Sequence, residues 1–481
     1  MSKILKESVF FFMGTLIPAA ISFISTPIFT RYFTPSEYGV NSLIDTSFGY
    51  LNTVIFGIIS SLVWRYYNEY KSNGRLEYFY GLVSFLIRIS ILSTVIVISI
   101  IVVVSNFSRY TKLLIISKTF ALLFNASNSI YSIILRLEAK AKTFNFIQIF
   151  NSVGNFVFIY ILTSVFEMRN IAMYIASIIT SFFVYIYLRI YFRNHKKTLL
   201  PFKEMLFELR PMLIYAVISL SSNFVQNLLD SSDRYMISFL QNVESNGIYH
   251  KLYGVSNQIM AIFCTVFMNL FSPYIYKSIS DKKEKVFFKD LIPFYIGIFV
   301  PLILFYAVFS DTITSILLAE DYAKWYFVLP LIVLGYFFLN LSSFSELLIR
   351  FTNPKLVPFG FLGACIINVI VNFLLIPPLG ILGAAIGTVI SYFFVFIYFS
   401  VIAKTFNLSY FFKKNWRLNS MYIIPILECL LYQFVIKKYI NTSSVFNVLI
   451  AIFMACSYYI PYFYYYFIIN KNFTKLFEKK I

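Results

Sequence analysis

The residues of this chain best able to do chemistry are charged side chains set inside long apolar runs. Arg88 stands about ten residues into the run 78–104, which holds no acidic residue. At 1.5 Å per residue that is about 15 Å deep, near the middle of a hydrocarbon core about 30 Å thick. Arg31 closes the outer end of the first run, 8–30, and Asp45 lies about eight residues into 38–64. Asp230, Asp233 and Arg234 share the run 211–239, and Lys251 follows in 246–276. A charge in hydrocarbon costs at least about 2.5 kcal/mol and as a rule faces a bundle interior or a wet cavity. Arg31, Arg88, Arg234 and Lys251 are therefore candidate cations for an anionic substrate. Asp45, Asp230 and Asp233 are candidates for charge balance or ion coupling. A second reading stands beside this one: Asp230 or Asp233 neutralises Arg234 or Lys251 as an interhelical ion pair.

The remaining polar inventory is sparse. Asn223, Gln226 and Asn227 put amides through the 211–239 run at helical spacing, as Asn52, Asn151, Asn155, Asn368 and Asn372 do elsewhere. Such amides chiefly hydrogen-bond between helices. Glu346 and Arg350, four apart, read as a local helical pair. The sequence has two histidines, no GxxxxGK[ST] phosphate loop, no metal-ligand spacing and no nucleophile motif. Its four cysteines, Cys264, Cys365, Cys429 and Cys456, are far apart in apolar runs and read as small core hydrophobes. No metal or cofactor is expected, and a transporter is favoured over a membrane enzyme.

The elements that position these groups follow from composition. Of 481 residues, 59% are apolar, 20% aromatic and only 13% charged, with a mean hydropathy of +0.77. A soluble domain carries about 25% charged residues, so lipid must be the main solvent. A barrel needs alternating strands of about 10 residues, whereas these apolar runs reach 20 or more. An all-α polytopic membrane protein with about fourteen transmembrane helices is predicted, from 8–30 to 445–469.

With the N-terminus inside, 29 Lys and Arg fall on inner segments and eight on or near the outer side. This asymmetry predicts a multi-pass membrane protein with both termini cytoplasmic. The net charge of +19 is then a matter of basic loops held against anionic headgroups, not of nucleic acid.

An internal repeat organises the spans. Asn151-Ser-Val-Gly-Asn155 resembles Asn368-Val-Ile-Val-Asn372, and Ser181-Phe-Phe-Val-Tyr-Ile-Tyr187 matches Tyr392-Phe-Phe-Val-Phe-Ile-Tyr398. Both matches occur in the same order and bracket the long basic segment 189–210. They predict an N-terminal six-helix lobe over 1–205, a C-terminal six-helix lobe over 206–405, and two further helices with a cytoplasmic tail over 406–481. Parallel repeats of this kind are a transporter architecture that works by alternating access.

Three stretches carry a family resemblance. The first is Pro27-Ile-Phe-Thr30-Arg31-Tyr-Phe-Thr-Pro35-Ser-Glu37-Tyr38-Gly39. The second is Asp233-Arg234-Tyr-Met-Ile with Asn246-Gly247-Ile248-Tyr249 and Lys251. The third is Asn368, Asn372, Ile376-Pro377, Gly380 and Gly383-Ala384-Ala385-Ile-Gly-Thr388. Together they resemble the Wzx-type O-antigen flippases of the multidrug/oligosaccharidyl-lipid/polysaccharide exporter superfamily. The resemblance implies a MATE-like fold and flipping of an undecaprenyl-pyrophosphate-linked oligosaccharide to the outer leaflet for surface polysaccharide synthesis. It also implies a place in the bacterial cytoplasmic (inner) membrane and membrane lipids as partners, together with a polysaccharide polymerase and a chain-length regulator. Lipid II flipping, multidrug or cation antiport, and a membrane glycosyltransferase are the competing readings. The first would place more basic residues in span one, the second an acidic cavity, and the third long outer loops.

Overall fold

The structure, a computed structural model, describes residues 3–195, 197–198, 202–280, 284–404, 421–437 and 443–469. They form α1 (Lys3–Tyr32), α2 (Pro35–Ser72), α3 (Leu76–Val104), α4 (Arg109–Leu137), α5 (Ala141–Ser164), α6 (Ile171–Tyr191), α7 (Phe202–Leu240) and α8 (Val243–Ser280). The chain continues through α9 (Glu284–Val308), the short α10 (Ser310–Leu317) and α11 (Glu320–Ala323), α12 (Leu329–Thr352), α13 (Val357–Leu379) and α14 (Ile381–Ala403). Last come α15 (Ile423–Leu431) and α16 (Ser444–Tyr464), each running on into a wider π turn.

Among the described residues eleven helices are long and apolar enough to cross a membrane, and the chain is an all-helical multi-pass membrane protein. The first and eighth expected spans are the long helices α1 and α8, and the thirteenth is a shorter apolar helix over Ile423–Ile436. The terminal tails and most of the segment joining α14 to α15 lie outside the described residues.

Packing divides the chain into two compact units, Met1–Ser238 and Phe239–Ile481. In the first, α1 packs on α5, α2 on α3 and α4, and α6 on α4 and α5. Its core joins Phe56, Leu62, Tyr67, Phe79, Ile130 and Ile134. Helix α7 groups here through Ser238. The physical reason is a row of side-chain contacts between α7 and α2, described below.

In the second unit α14 is packed between α12 and α13, and α8 lies on α12. Gly380 makes the α13–α14 turn with φ of +59°, a backbone region that favours glycine. Gly387 lets the two helices close up, since a Cβ there would sit 2.1 Å from Asn372 Oδ1. The repeated Asn pair is bonded differently in the two units. Asn372 Nδ2 donates to Asn368 Oδ1 at 2.9 Å, and Asn368 Nδ2 to Ser391 Oγ at 3.3 Å. Asn155 Nδ2 instead donates to the Asn151 carbonyl of its own helix at 2.8 Å.

The appended helix α16 docks on α9 through tyrosines. Pro301 has no N–H, so the Gly297 carbonyl four residues earlier loses its helical donor. Tyr458 Oη donates to that carbonyl at 2.9 Å. Tyr462 donates to Phe294 O at 2.9 Å and Tyr459 to Ile298 O at 2.7 Å. Position 297 must be glycine for this contact, because a Cβ would meet Tyr462 Oη at 2.1 Å.

Candidate functional site

Within the first unit α2 and α7 run antiparallel and meet through polar and aromatic side chains. Thr46, Tyr50 and Thr53 on α2 have the spacing of one helical face, as do Asn227, Ser231 and Arg234 on α7. Their rungs pair in opposite order. Arg234 Nη1 donates to Thr46 Oγ1 at 3.0 Å, Ser231 Oγ to Tyr50 Oη at 3.0 Å, and Asn227 Nδ2 to Thr53 Oγ1 at 2.7 Å. Tyr235 adds a hydrogen bond to Ser47, and its ring stacks on Tyr50 at 6.3 Å. Seven residues separate the outer rungs, about 10 Å along the helix.

The same pair of helices meets again at the other end. Tyr66 packs edge-on to Tyr215, and Tyr70 Oη donates to Glu208 Oε2 at 2.8 Å. Arg75, just past α2, donates to Glu208 Oε1 at 2.6 Å. That carboxylate holds the Arg75 guanidinium above its ordinary pKa, by hydrogen bond first and charge second.

The candidate residues fall into separate places. Arg234 belongs to the α2–α7 seam, with the buried Asp233 beside it and Asp230 half-buried one turn away. Asp45 belongs to the other side of α2. Lys118 of α4 forms an ion pair with it at 2.6 Å and stands 5.2 Å from the centre of the Tyr174 ring, whose hydroxyl donates to the Asn41 carbonyl at 3.4 Å. The structure thus pairs Asp45 with a lysine that the charge pattern places near the outer surface. Arg31 is exposed at the end of α1 and bonds the Pro27 carbonyl of its own helix.

Arg88 is exposed on α3, twelve residues beyond the start of the helix at Leu76. Near that start the Thr198 N–H donates to Glu77 O at 3.2 Å. Lys251, half-buried on α8, lies in the second unit. Tyr249 and Tyr253 flank it in sequence and bond α14, at Thr388 (3.1 Å) and Tyr392 (2.8 Å). Two residues turn a helix by about 200°, so Lys251 stands on the face of α8 away from those contacts.

The motif residue Glu37 is structural. Its carboxylate accepts from the Thr34 N–H at 3.0 Å while Thr34 Oγ1 accepts from the Glu37 N–H, a capping box that starts α2. Arg169 then donates to it at 2.8 Å, and Glu37 raises the guanidinium's pKa in return. Asn170 joins this end through Asn41 at 2.8 Å and Tyr110 at 2.6 Å. Glu346 and Arg350 form the local pair that their spacing predicts.

Sequence reasoning missed Thr46, Tyr50, Thr53 and Ser231, which are common in apolar helices and stand out only when two helices are read together.

Among solved structures the chain is similar to the lipid II flippase MurJ in an inward closed conformation. The TM-score is 0.67 at 16% identity, over 95% of this chain and 99% of that one. It is also similar to VcmN, a MATE transporter of Vibrio cholerae (TM-score 0.57, 11% identity, 85% and 98% covered). A transporter of the MOP superfamily from Pyrococcus furiosus aligns with TM-score 0.55 and 13% identity, over 83% of this chain and 95% of that one. At these identities the likeness is one of fold. No curated protein matches the sequence. Residues 28–326 match the polysaccharide biosynthesis protein family, and with well over half of its length so matched the chain belongs to that family.

Proposed function

We propose that the protein is a flippase that moves an undecaprenyl-pyrophosphate-linked oligosaccharide repeat unit from the cytoplasmic to the outer leaflet, by alternating access, for O-antigen or capsule-type polysaccharide. The observation that carries this reading is the pairing of a polysaccharide biosynthesis family match with a fold shared along nearly the whole chain with a lipid flippase. A pyrophosphate head cannot enter hydrocarbon without replacement of its hydration. Guanidinium and ammonium groups supply that replacement through charge-assisted hydrogen bonds.

In this reading Arg31, Arg88, Arg234 and Lys251 meet the head group in turn. Asp230 and Asp233 balance charge or couple to a proton or cation, and Asp45 balances Lys118. The working lobes are the six-helix repeats 1–205 and 206–405, with 406–481 as an appendage. The membrane is the bacterial cytoplasmic membrane with both termini inside, and a polymerase and chain-length regulator act downstream.

Lipid II flipping is the second reading, favoured by the 0.67 TM-score to MurJ. Mass spectrometry of polyprenyl-linked glycans in depleted cells separates the two. A complete lipid-linked repeat unit that accumulates while surface polymer is lost supports the first reading; accumulated lipid II selects the second. Unchanged lipids overturn both.

A further inference from the structure

Helix α4 carries four polar side chains along one face. Lys118, Asn125, Ser129 and Arg136 follow at intervals of seven, four and seven residues, which keep them within about 20° of one line down the helix. From Lys118 to Arg136 that line is about 27 Å long. Asn125, Ser129 and Arg136 are exposed, whereas the opposite face of α4 exposes Leu113, Ile116 and Phe120. The apolar face suits lipid. Hydrocarbon offers no hydrogen-bond partner, so an amide, a hydroxyl and a guanidinium exposed in one line face water instead.

Contacts on either side fix where this strip lies. Toward α6, Asn125 Nδ2 donates to Ser177 Oγ at 2.9 Å, and the buried Asn128 Nδ2 donates to Ser181 O at 2.8 Å. Toward α2, Ala126 and Ile130 join the core with Phe56 and Leu62. The strip therefore runs between α2 and α6, inside the first unit.

Its charge is unevenly placed. At one end Lys118 is paired with Asp45 at 2.6 Å, and that end adds no net charge. At the other, Arg136 Cζ stands 4.4 Å from the centre of the Phe144 ring on α5, a cation–π contact that leaves the guanidinium its hydrogen-bond donors. Among the described residues no carboxylate forms an ion pair with Arg136. Between the two ends the groups are neutral. Asn125 keeps its carbonyl oxygen and a second N–H for a ligand beyond the bond to Ser177, and Ser129, which donates to Ala126 O at 2.8 Å, keeps its acceptor lone pairs. One cation followed by neutral donors and acceptors matches a ligand with an anionic head and a chain of hydroxyl groups, in that order.

We propose that this face of α4 is the track for the glycan of a lipid-linked oligosaccharide, with Asn125 and Ser129 meeting sugar hydroxyls and Arg136 meeting the pyrophosphate. The proposal rests on the flippase reading and deepens it by naming the groups that read the sugar. Arg136 lies at the end of α4 that the charge pattern places inside, so the head group stays near the membrane surface while the sugars extend along the strip.

The test has two readouts, both on the full-length chain in phosphatidylcholine nanodiscs. In a chain whose four native cysteines are replaced, Asn125→Cys and Ser129→Cys should react with a hydrophilic, membrane-impermeant thiol reagent. Phe120→Cys, on the opposite face, should react at least tenfold more slowly. The lipid-linked repeat unit isolated from cells depleted of the protein should slow the reactions at 125 and 129 at least fivefold, and undecaprenyl pyrophosphate without sugar should leave them within twofold. The second readout is affinity. Ser129→Ala loses no contact between helices, and it should weaken binding of the glycolipid about fivefold while binding of the bare pyrophosphate lipid is unchanged. Arg136→Gln should weaken both.

Phe120→Cys reacting as fast as Ser129→Cys overturns the track and leaves the flippase reading intact. So does protection by the bare pyrophosphate lipid equal to that by the glycolipid, or glycolipid affinity in Ser129→Ala within twofold of wild type. Failure of the wild type to bind either lipid overturns both proposals.

Discussion

At the scale of single residues, the embedded charges differ in what holds them. Asp45 pairs with Lys118 at 2.6 Å, so Asp45→Asn should cost roughly 1 kcal/mol as a partly exposed pair is lost. The double variant Asp45→Asn/Lys118→Met should recover part of that loss. Thermal unfolding in detergent measures both, and a double variant no better than the sum of the singles would remove the charge-balance role. Spacing made the presence of these charges legible, because an Arg or Asp in an apolar run is conspicuous. Their partners were not legible. Lys118 lies 73 residues from Asp45 and was counted with the outer basic residues, and only the fold brings α4 against α2.

At the scale of elements, helix pairs meet through small residues and specific hydrogen bonds as well as through apolar packing, as expected where lipid is as apolar as the core. Asn227→Ala should weaken the α2–α7 seam by about 0.6 kcal/mol, a typical value for one interhelical hydrogen bond. Tyr458→Phe should cost more, about 1–3 kcal/mol, since it orphans the carbonyl that Pro301 leaves without a donor. Gly387→Ala, with its Cβ 2.1 Å from Asn372 Oδ1, should cost on the order of 1–3 kcal/mol by overpacking. The ranking is open to a thermal-shift series. Equal stability for Gly387→Ala and wild type would contradict the close approach of α13 and α14. The helices themselves were legible from apolar runs. The short α10 and α11 were not, for eight- and four-residue helices between two long spans leave no periodic signal.

At the scale of the whole molecule, the basic residues predict a direction across the membrane. Asp321 sits in the short helix α11 between α9 and α12, on the face predicted to be outer, and Asn353 follows α12 on the face predicted to be inner. Both are exposed. In a chain whose four native cysteines, all free, are replaced, Asp321→Cys should react with an impermeant thiol reagent in spheroplasts and Asn353→Cys should not. The opposite pattern would invert the topology.

The central claim is movement of a pyrophosphate-linked glycan between leaflets, and the direct measurement is reconstitution. Proteoliposomes carrying a lipid-linked repeat unit, probed with a membrane-impermeant enzyme that cleaves the glycan, should show the protected half of the substrate becoming accessible only when the protein is present. Arg234→Gln should slow that phase at least tenfold. A protected pool that stays protected in the presence of folded wild-type protein would contradict the account.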